Sequence, residues 1–336
     1  MSVHDVVAYG RHPHRKRFAA LLSTLDITQP ASGTATSREE AREAAARIGF
    51  PVVVRPSYVL GGRGMAIVYD VPRLDRYMTN AVDVSPEHPV LVDKFLEDAF
   101  EFDVDAVADS TGAVVIGGIM EHIEEAGIHS GDSSCVVPPF ICPERHLATI
   151  RDYTRRIAKA LRVVGLMNVQ FATKDNVVYV LEVNPRASRT VPYLSKASGV
   201  PLAKIAARVM AGRTLAELGL TKDIEVAGVF VKSPVFPFVR FPGVDTILGP
   251  EMKSTGEVMG IDHTFDAAVR KAMIASDLEV RPGTPFLLSL SRQTKDEATP
   301  LIHLLHAAGC PLFATEGTAA MIRDRKSTRL NSSHRT

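Results

Sequence analysis

The residues with the clearest potential for chemistry lie at 177–189, a segment that reads VVYVLEVNPRASR. Glu182 and Asn184 stand two residues apart in its apolar part, and side chains at i and i+2 of a strand point to the same face. A carboxylate beside an amide carbonyl suits magnesium, which usually completes its coordination shell with substrate phosphates. Arg186 and Arg189 follow, and guanidinium groups pair well with phosphate oxygens. The spacing predicts a site for a divalent cation and a phosphate.

A neighbouring segment could contribute a third oxygen ligand. Residues 168–172 (NVQFA) predict a short strand, and residues 174–176 (KDN) have the composition of a turn. A hairpin folded at this turn would bring Gln170 close to Glu182 across the ladder, so that Gln170, Glu182 and Asn184 form one cluster. An ordinary hairpin whose polar side chains face solvent is equally compatible with the spacing.

A glycine-rich loop at 53–65 (VVRPSYVLGGRGM) joins two predicted strands. Gly61 and Gly62 would let backbone amides approach phosphate oxygens, and Arg55 precedes the loop. No Gly-Lys-Ser/Thr follows, which excludes the Walker pattern, and no helix opens directly after the glycines, which excludes a dinucleotide fingerprint. The alternative is a flexible hairpin tip.

Two further segments combine polar groups in loops. Residues 127–132 (GIHSGD) place a histidine and a hydroxyl between glycines, and residues 92–103 lead from one strand through an acidic connection into another. The main chain of such a connection can hydrogen-bond an adenine edge, and Glu101 could hold ribose hydroxyls. Taken alone, the two segments can also be a polar surface loop and a solvated acidic turn.

Alternating helices and strands are predicted from residue 18 to about residue 213. Ser37 and Glu40 form a capping box for a helix over 37–48, which Gly49 ends. Residues 214–275 show no clear period. From residue 284 the pattern is strand, helix and strand at 286–290, 298–308 and 312–314, one crossover of a parallel sheet. The remaining predictions are strands at 51–55, 66–69, 89–95, 102–108 and 113–119, and a helix at 151–162.

The composition is that of an ordinary globular protein, and 336 residues suffice for two or three domains. A net charge of +1 offers no field that favours nucleic acid or an anionic membrane. No apolar run approaches the roughly 20 residues that span a bilayer, and no signal-peptide pattern is present. Three scattered cysteines without a Cys-x-x-Cys pair indicate reduced thiols. We therefore expect a cytoplasmic protein without nucleic-acid or membrane partners.

Eight motifs together resemble the ATP-grasp superfamily, and within it the large chain of carbamoyl-phosphate synthase in its second, C-terminal synthetase half. The resemblance covers roughly residues 18–324. Motifs this long and numerous are highly specific. They are RPSYVLGGR at 55–63, GGIMEHIE at 117–124, GIHSGDS at 127–133, GLMNVQF at 165–171, EVNPRASRTVP at 182–192, SKASGVPLAK at 195–204, FPGVD at 241–245 and LGPEMKSTGEVMG at 248–260.

The resemblance implies an α/β chain with an α+β ATP-grasp fold, followed by a truncated Rossmann-like domain similar to methylglyoxal synthase. It implies ATP as cofactor with two Mg²⁺ or Mn²⁺ ions per site. The implied metal ligands are Gln170, Glu182 and Asn184, and the arginines near the transferred phosphoryl group are Arg186 and Arg189. Nucleotide contacts are implied for Arg55, Gly61, Gly62, Asp93, Lys94, Leu96, Glu101, Gly127, Ile128, His129, Ser130, Gln170 and Glu182. The contacts at 93–101 are partly main-chain, so the residue type at Lys94 is not restricted.

The implied activity is phosphorylation of carbamate to carbamoyl phosphate, within glutamine-dependent synthesis that feeds pyrimidine and arginine biosynthesis. Implied partners are the small glutamine amidotransferase subunit and the N-terminal synthetase half, whose sequence is not in this chain. We expect a poorly structured lead-in over 1–17, a synthetase unit over 18–275 (core 18–213, mixed part 214–275), a truncated regulatory domain over 276–324 and a non-native tail over 325–336. A fragment that binds nucleotide without turnover, or another ATP-grasp carboxylate ligase, remains an alternative.

Overall fold

A computed structural model describes residues 12–56, 64–84, 89–240, 243, 245–291 and 294–323, with side chains from residue 18 onward except at 80–84. The chain divides into two compact units, one ending at Asp277 and one beginning at Leu278. The expected roles of Gly61 and Gly62, and the expected tail over 325–336, fall outside the described residues. Among those that are described, no helix has both the length and the apolar character needed to cross a bilayer.

The first unit begins with helix α1, His12–Thr24, so residues 12–17 are helical where we expected a poorly structured lead-in. A four-stranded antiparallel sheet follows, in the order β1-β4-β2-β3. Two helices, α2 (Arg38–Ile48) and α3 (Val71–Val84), form an apolar core with it. Its strands are β1 (Ser32–Ala35), β2 (Val52–Pro56), β3 (Ala66–Val68) and β4 (Val90–Lys94).

A seven-stranded antiparallel sheet forms the centre of the first unit, in the order β11-β10-β7-β6-β5-β8-β9. Helix α4 (Glu144–Ala160) and α1 pack on one face, and α5 (Val191–Ser198) and α6 (Leu202–Met210) on the other. Helix α7 (Phe265–Ala275) packs on β10 and β11, and a short 3-10 helix covers Phe238–Arg240. The strands are β5 (Phe100–Ala108), β6 (Val114–His122), β7 (Cys135–Val137), β8 (Gly165–Lys174), β9 (Val177–Asn184), β10 (Val229–Val235) and β11 (Gly256–Asp262).

Helix α2 starts as the capping pattern predicts, with one difference in the partner of Glu40. The side chain of Ser37 accepts a hydrogen bond from the Glu40 amide at 3.1 Å. The Glu40 carboxylate accepts from the amide and hydroxyl of Thr36, both at 2.7 Å. The reciprocal bond of the capping box is therefore displaced by one residue, because Thr36 offers two donors on the preceding turn.

Two stretches differ from the sequence-based expectation. Helix α4 begins at Glu144, seven residues before the predicted start. Pro143 occupies its N-cap, and the amides of Phe140, Ile141 and Cys142 before it donate to the Glu121 carboxylate. The region 214–275 has regular structure after all, namely β10, β11 and α7, which extend the large sheet. Strand β10 is buried at five consecutive positions, so alternation of apolar and polar residues is not expected along it.

The second unit contains two parallel strands, β12 (Phe286–Leu288) and β13 (Leu312–Ala314), joined by helix α8 (Thr299–Ala307). This is the β-α-β crossover that the sequence predicts. Residues 316–323 are also helical.

Candidate metal and nucleotide site

The hairpin of β8 and β9 brings Gln170 close to Glu182, as the sequence predicts. Gln170 lies directly opposite Glu182, and Asn168 lies opposite Asn184. A β-bulge between Gln170 and Phe171 adds one residue on β9. From Asn168 to Gln170 the pairing is regular. The four polar side chains consequently project from one face of the sheet, the face that also carries α5 and α6.

The amide of Gln170 has a defined orientation. Its Nε2 donates a hydrogen bond to Asp103 Oδ1 at 3.2 Å, which leaves Oε1 as the group free to accept or to ligate. Among the described residues, no three His, Cys, Asp or Glu side chains converge as a metal cage. The donor set therefore has one carboxylate, from Glu182, and two amides, and it suits a cation that also takes oxygens from a phosphate ligand.

A buried pair of residues, Asp103 and His122, holds the amide of Gln170. Asp103 is 2% exposed and its Oδ2 lies 2.9 Å from His122 Nε2. Burial favours the neutral carboxyl, but the bonds from His122, Asn168 and Gln170 outweigh it and lower the pKa of Asp103. Burial likewise opposes the imidazolium, yet Cys135 and the hydrogen bond and charge of Asp103 raise the pKa of His122 well above its ordinary value. The two groups form an ion pair that fixes one side of the Gln170 amide.

Arg186 and Arg189 are exposed on the loop between β9 and α5. The Arg186 guanidinium donates a hydrogen bond to the carbonyl of the adjacent Ala187, at 3.2 Å. Arg189 Nη1 touches Met252 Sδ and lies 3.2 Å from where a Cβ on Gly131 would sit. Arg189 thus lies between its own loop and the loop at 127–132.

The loop at 127–132 faces the predicted ligands. Burial is the main reason that the pKa of His129 is lowered, and the charges of Glu182 and Arg189 also act on its ring. The Gly131 amide donates to His129 Nδ1 at 3.0 Å, so the neutral imidazole carries its proton on Nε2. The loop is held by the 249–254 segment, since the His129 amide donates to the Gly249 carbonyl at 2.8 Å.

The small sheet contacts the same loop. A Cβ on Gly127, which has φ +100°, would lie 2.8 Å from the Phe95 ring and 3.0 Å from Ile67. Glu101, expected near ribose, accepts a hydrogen bond from the Gly127 amide at 3.1 Å, and its other oxygen lies 3.7 Å from His122. Burial raises the pKa of Glu101 despite these contacts. Only glycine allows this approach of loop and sheet.

The remaining predicted nucleotide contacts are less uniform. Lys94 turns its ammonium to the carbonyls of Gly49 and Phe50, at 3.1 and 2.9 Å, so its side chain anchors the end of α2. Its amide donates to the Ala31 carbonyl at 2.8 Å. Arg55 lies 3.7 Å from Asp93, and its buried Nε has no hydrogen-bond partner among the described residues. Leu96 is half-buried in the connection after β4.

Several residues of the site were not predicted from the sequence. Asp103 and Asp105 on β5, Asn168 on β8, and Ser188 and Thr190 after β9 form one buried network beneath the ligands. The signal was present, because Asp103 and Asp105 alternate with apolar residues along a strand, and two carboxylates on a buried face need partners.

Residues 14–218 match the family model described as "Carbamoyl-phosphate synthase L chain, ATP binding domain". The carbamoyl phosphate synthase large chain of Archaeoglobus fulgidus is 57% identical over 305 residues, which cover 90% of this chain and 28% of that one. The large chain of Synechocystis sp. is 55% identical over 310 residues, with 92% and 29% covered. The corresponding C-terminal section from Methanocaldococcus jannaschii is 52% identical over 320 residues, with 92% and 52% covered. The chain spans less than a third of the first two relatives.

Two solved structures resemble the fold. The biotin carboxylase domain of Hydrogenobacter thermophilus 2-oxoglutarate carboxylase, a complex with MgADP, ADP and bicarbonate, has a TM-score of 0.65 at 18% identity and covers 81% of this chain and 66% of that one. The N5-carboxyaminoimidazole ribonucleotide synthetase of Thermus thermophilus has a TM-score of 0.60 at 17% identity, with 81% and 73% covered. At this identity the likeness concerns the fold alone, and it confirms the expected ATP-grasp fold.

Proposed function

The chain belongs to the family of carbamoyl-phosphate synthase large chains, and on that premise we propose that its first unit phosphorylates carbamate with MgATP. A carbamate oxygen attacks the γ-phosphorus, the bond from that phosphorus to the β–γ bridging oxygen breaks, and the electron pair leaves with ADP. The observation that carries the proposal is the β8–β9 register, which sets Gln170 opposite Glu182 with Asn184 on the same strand.

Gln170, Glu182 and Asn184 would hold magnesium or manganese, two ions per site. The fit rests on the donor set, since the Gln170 amide nitrogen is engaged by Asp103 and its oxygen is the free atom. When bound, the ions would supply positive charge that neutralises the phosphate oxygens. Carboxylate and carbonyl oxygens suit both cations.

Side chains of the protein would position the substrates and stabilise the charge on the transferred phosphoryl group. We assign Arg186 and Arg189 to the charge that develops on the equatorial phosphoryl oxygens, because both are exposed on the loop that follows the metal ligands. Carbamate is itself an oxygen nucleophile, so no strong general base is needed. The neutral His129, with Gly127, Ile128 and Ser130, would contact the nucleotide phosphates.

The adenosine would lie against the connection after β4, with main-chain groups around Lys94 and Leu96 on the base and Glu101 toward the ribose. Arg55, Asp93 and the glycines Gly61 and Gly62 would complete the nucleotide pocket. The Arg55 Nε is buried, lies 3.7 Å from Asp93 Oδ2 and has no hydrogen-bond partner among the described residues, which supports a role for this guanidinium toward a ligand.

For the whole protein we propose the partners of a complete large chain. These are the small glutamine amidotransferase subunit and the N-terminal synthetase half, in synthesis that serves pyrimidine and arginine formation. We assign residues 276–324 to a regulatory domain of the methylglyoxal-synthase type, in line with the parallel β12–β13 pair. The three cysteines are free thiols, which fits a cytoplasmic setting.

The experiment measures ATP formed by this chain from carbamoyl phosphate and MgADP, with the Glu182→Ala variant as control. We expect ATP from the wild type and none above background from the variant. Binding of MgADP without any ATP would identify a nucleotide-binding fragment without turnover. Consumption of ATP that requires a carboxylate other than carbamate as the acceptor would identify a different ligase. Either result would overturn the proposal.

A further inference from the structure

The carboxylate of Asp105 lies beneath the candidate site, and its hydrogen-bond partners among the described residues are Asn168, Ser188 and Thr190. It is 1% exposed on β5. Its Oδ1 accepts a hydrogen bond from Asn168 Nδ2 at 3.2 Å. Its Oδ2 accepts from the hydroxyls of Ser188 and Thr190, at 2.8 and 2.7 Å. Asp105 is therefore bonded both to the strand that carries Gln170 and to the loop that carries the two arginines.

The hydroxyl of Thr190 does not cap the helix that begins after it. Thr190 is the N-cap of α5, where a threonine side chain ordinarily accepts a hydrogen bond from an amide of the first turn. It makes no such bond, and its backbone is helical at φ −79° and ψ −12°. The hydroxyl points to Asp105 instead, and it also lies 2.7 Å from the Ser188 hydroxyl. Two hydroxyls that flank Arg189 are thus tied to one buried carboxylate.

The other oxygen of Asp105 continues the network toward the metal ligands. Asn168 Nδ2 donates to Asp105 and also to Asp103, at 3.2 Å each. Asp103 in turn accepts from the amide of Gln170. One connected set of buried groups consequently holds the arginine loop and the Gln170 amide against the same two strands, β5 and β8.

We propose that Asp105 is a positioning residue, which holds the loop 185–190 so that Arg186 and Arg189 face the phosphoryl group bound at Gln170 and Glu182. The inference rests on the proposed function for its catalytic consequence, and on the geometry for the loop itself. Hydrogen bonds to a buried charge are among the stronger ones in proteins, and a displacement of about 1 Å at a reacting group can lower a rate about a hundredfold. Both arginines are exposed, with Arg186 bonded to the adjacent Ala187 carbonyl and Arg189 in contact with Met252. The hydroxyls of Ser188 and Thr190 tie the same loop to the sheet.

The test removes one hydroxyl and leaves the carboxylate. Thr190→Val keeps the shape and deletes the bond to Asp105, Thr190→Ser restores a hydroxyl, and Thr154→Val deletes an equally buried hydroxyl on α4, which donates to the Ile150 carbonyl. We expect amide hydrogen exchange at 186–190 to rise roughly tenfold or more in Thr190→Val. Thr190→Ser and Thr154→Val should exchange like the wild type there. The milder Ser188→Ala serves if Thr190→Val does not fold.

ATP formation from carbamoyl phosphate and MgADP supplies the second readout. We expect Thr190→Val to lower kcat by about ten- to a hundredfold with the KM for MgADP within twofold of the wild type. Combined with Arg189→Ala, Thr190→Val is expected to add little further loss, because the bond acts through that arginine. Losses that simply multiply in the double variant would overturn the inference.

The two proposals fail in different ways. A wild type that makes no ATP would refute the proposed function, and the exchange rates at 186–190 would still decide whether Asp105 holds the loop. Exchange and kcat that both match the wild type in Thr190→Val would refute the positioning role while the proposed function stands. A loss confined to MgADP affinity would equally overturn it, since it would make the network a binding element.

Discussion

At the scale of single residues, the role of a polar side chain depends on which partner already holds its other hydrogen-bonding group. Gln170 can offer an oxygen because Asp103 takes its amide nitrogen. Lys94 occupies a position expected to contact nucleotide, but the carbonyls of Gly49 and Phe50 take its ammonium. The same residue type in the same strand position would act differently with other neighbours.

Replacing Glu182 with glutamine removes the one carboxylate of the predicted ligand set and keeps its size. We expect magnesium-dependent affinity for ADP to fall by roughly a hundredfold or more, because loss of a group that merely supports a metal ligand can cost up to that much. Calorimetry with MgADP measures it. Glu257→Gln, the same change at an exposed residue of β11, serves as the control. An unchanged MgADP affinity in Glu182→Gln would remove Glu182 from the metal site.

Arg189→Ala is expected to lower turnover more than nucleotide affinity. The arginine charge matters where negative charge develops in transfer, and loss of one such contact costs on the order of 3 kcal/mol, about a hundredfold in kcat. Steady-state ATP formation and MgADP titration separate the two quantities. Arg213→Ala, in an exposed ion pair with Glu217, controls for loss of a surface charge. A weaker affinity with full turnover at saturation would show that Arg189 only binds the ground state.

At the scale of secondary structure, the far edge of the large sheet depends on close contact between α7 and β11. Both elements lie in the region 214–275, and Ala268 and Ala272 of α7 are buried at 0% and 1% exposure. Small residues on both elements let the backbones approach. The strand β10, next to β11, carries Lys232, whose Nζ donates to the Ser130 carbonyl at 3.0 Å. The packing of this edge therefore bears on the loop that faces the site.

Gly260→Ala tests this packing. A Cβ at Gly260 would overlap the Ala268 carbonyl oxygen and lie 2.5 Å from the Ala272 amide nitrogen, so the helix must move. We expect the free energy of unfolding to fall by about 1–3 kcal/mol. Gly256→Ala on the same strand is the matched control, because its Cβ would meet only Val235, at 4.0 Å. Equal stability of both variants in denaturant titration would contradict the close-packing account.

At the scale of the whole molecule, the two units differ in how much apolar surface they bury. In the first unit, the large sheet is covered by helices on both faces. In the second, β12 and β13 have three residues each, and the paired Leu287 and Phe313 are 76% and 61% exposed. Two short strands with a bare face are a weak basis for stability.

Native-state hydrogen exchange is expected to follow this difference. Amides of β5 and β8 exchange through global unfolding of the first unit, so they should be protected roughly a hundredfold or more beyond those of β12 and β13. The comparison needs no variant, because each unit serves as the reference for the other. Equal protection in both sets of strands would mean that the second unit derives stability that its own described contacts do not explain.

The sequence by itself determined the local features of this protein. The hairpin of β8 and β9 follows from two apolar runs around a short turn, which brings Gln170 close to Glu182. The direct pairing of these two residues depends in addition on the extra residue of β9, Leu181. The start of α2 follows from Ser37, and β13 from a short apolar run after Gly309. Each depends on hydrogen bonds or periodicity within about ten residues, which a linear pattern carries.

Only the tertiary structure decided which groups meet across the sheet. The hydrogen bonds that Ser188 and Thr190 donate to Asp105 join residues more than 80 positions apart in the chain. Those that Asn168 donates to Asp103 and Asp105 join residues more than 60 positions apart. The sequence did not predict strands β10 and β11, which the folded structure places beside β7 and against α7. Strand order, burial and hydrogen-bond partners are properties of the folded packing, because a polar side chain shows no preference for its distant partner until burial removes water as the alternative.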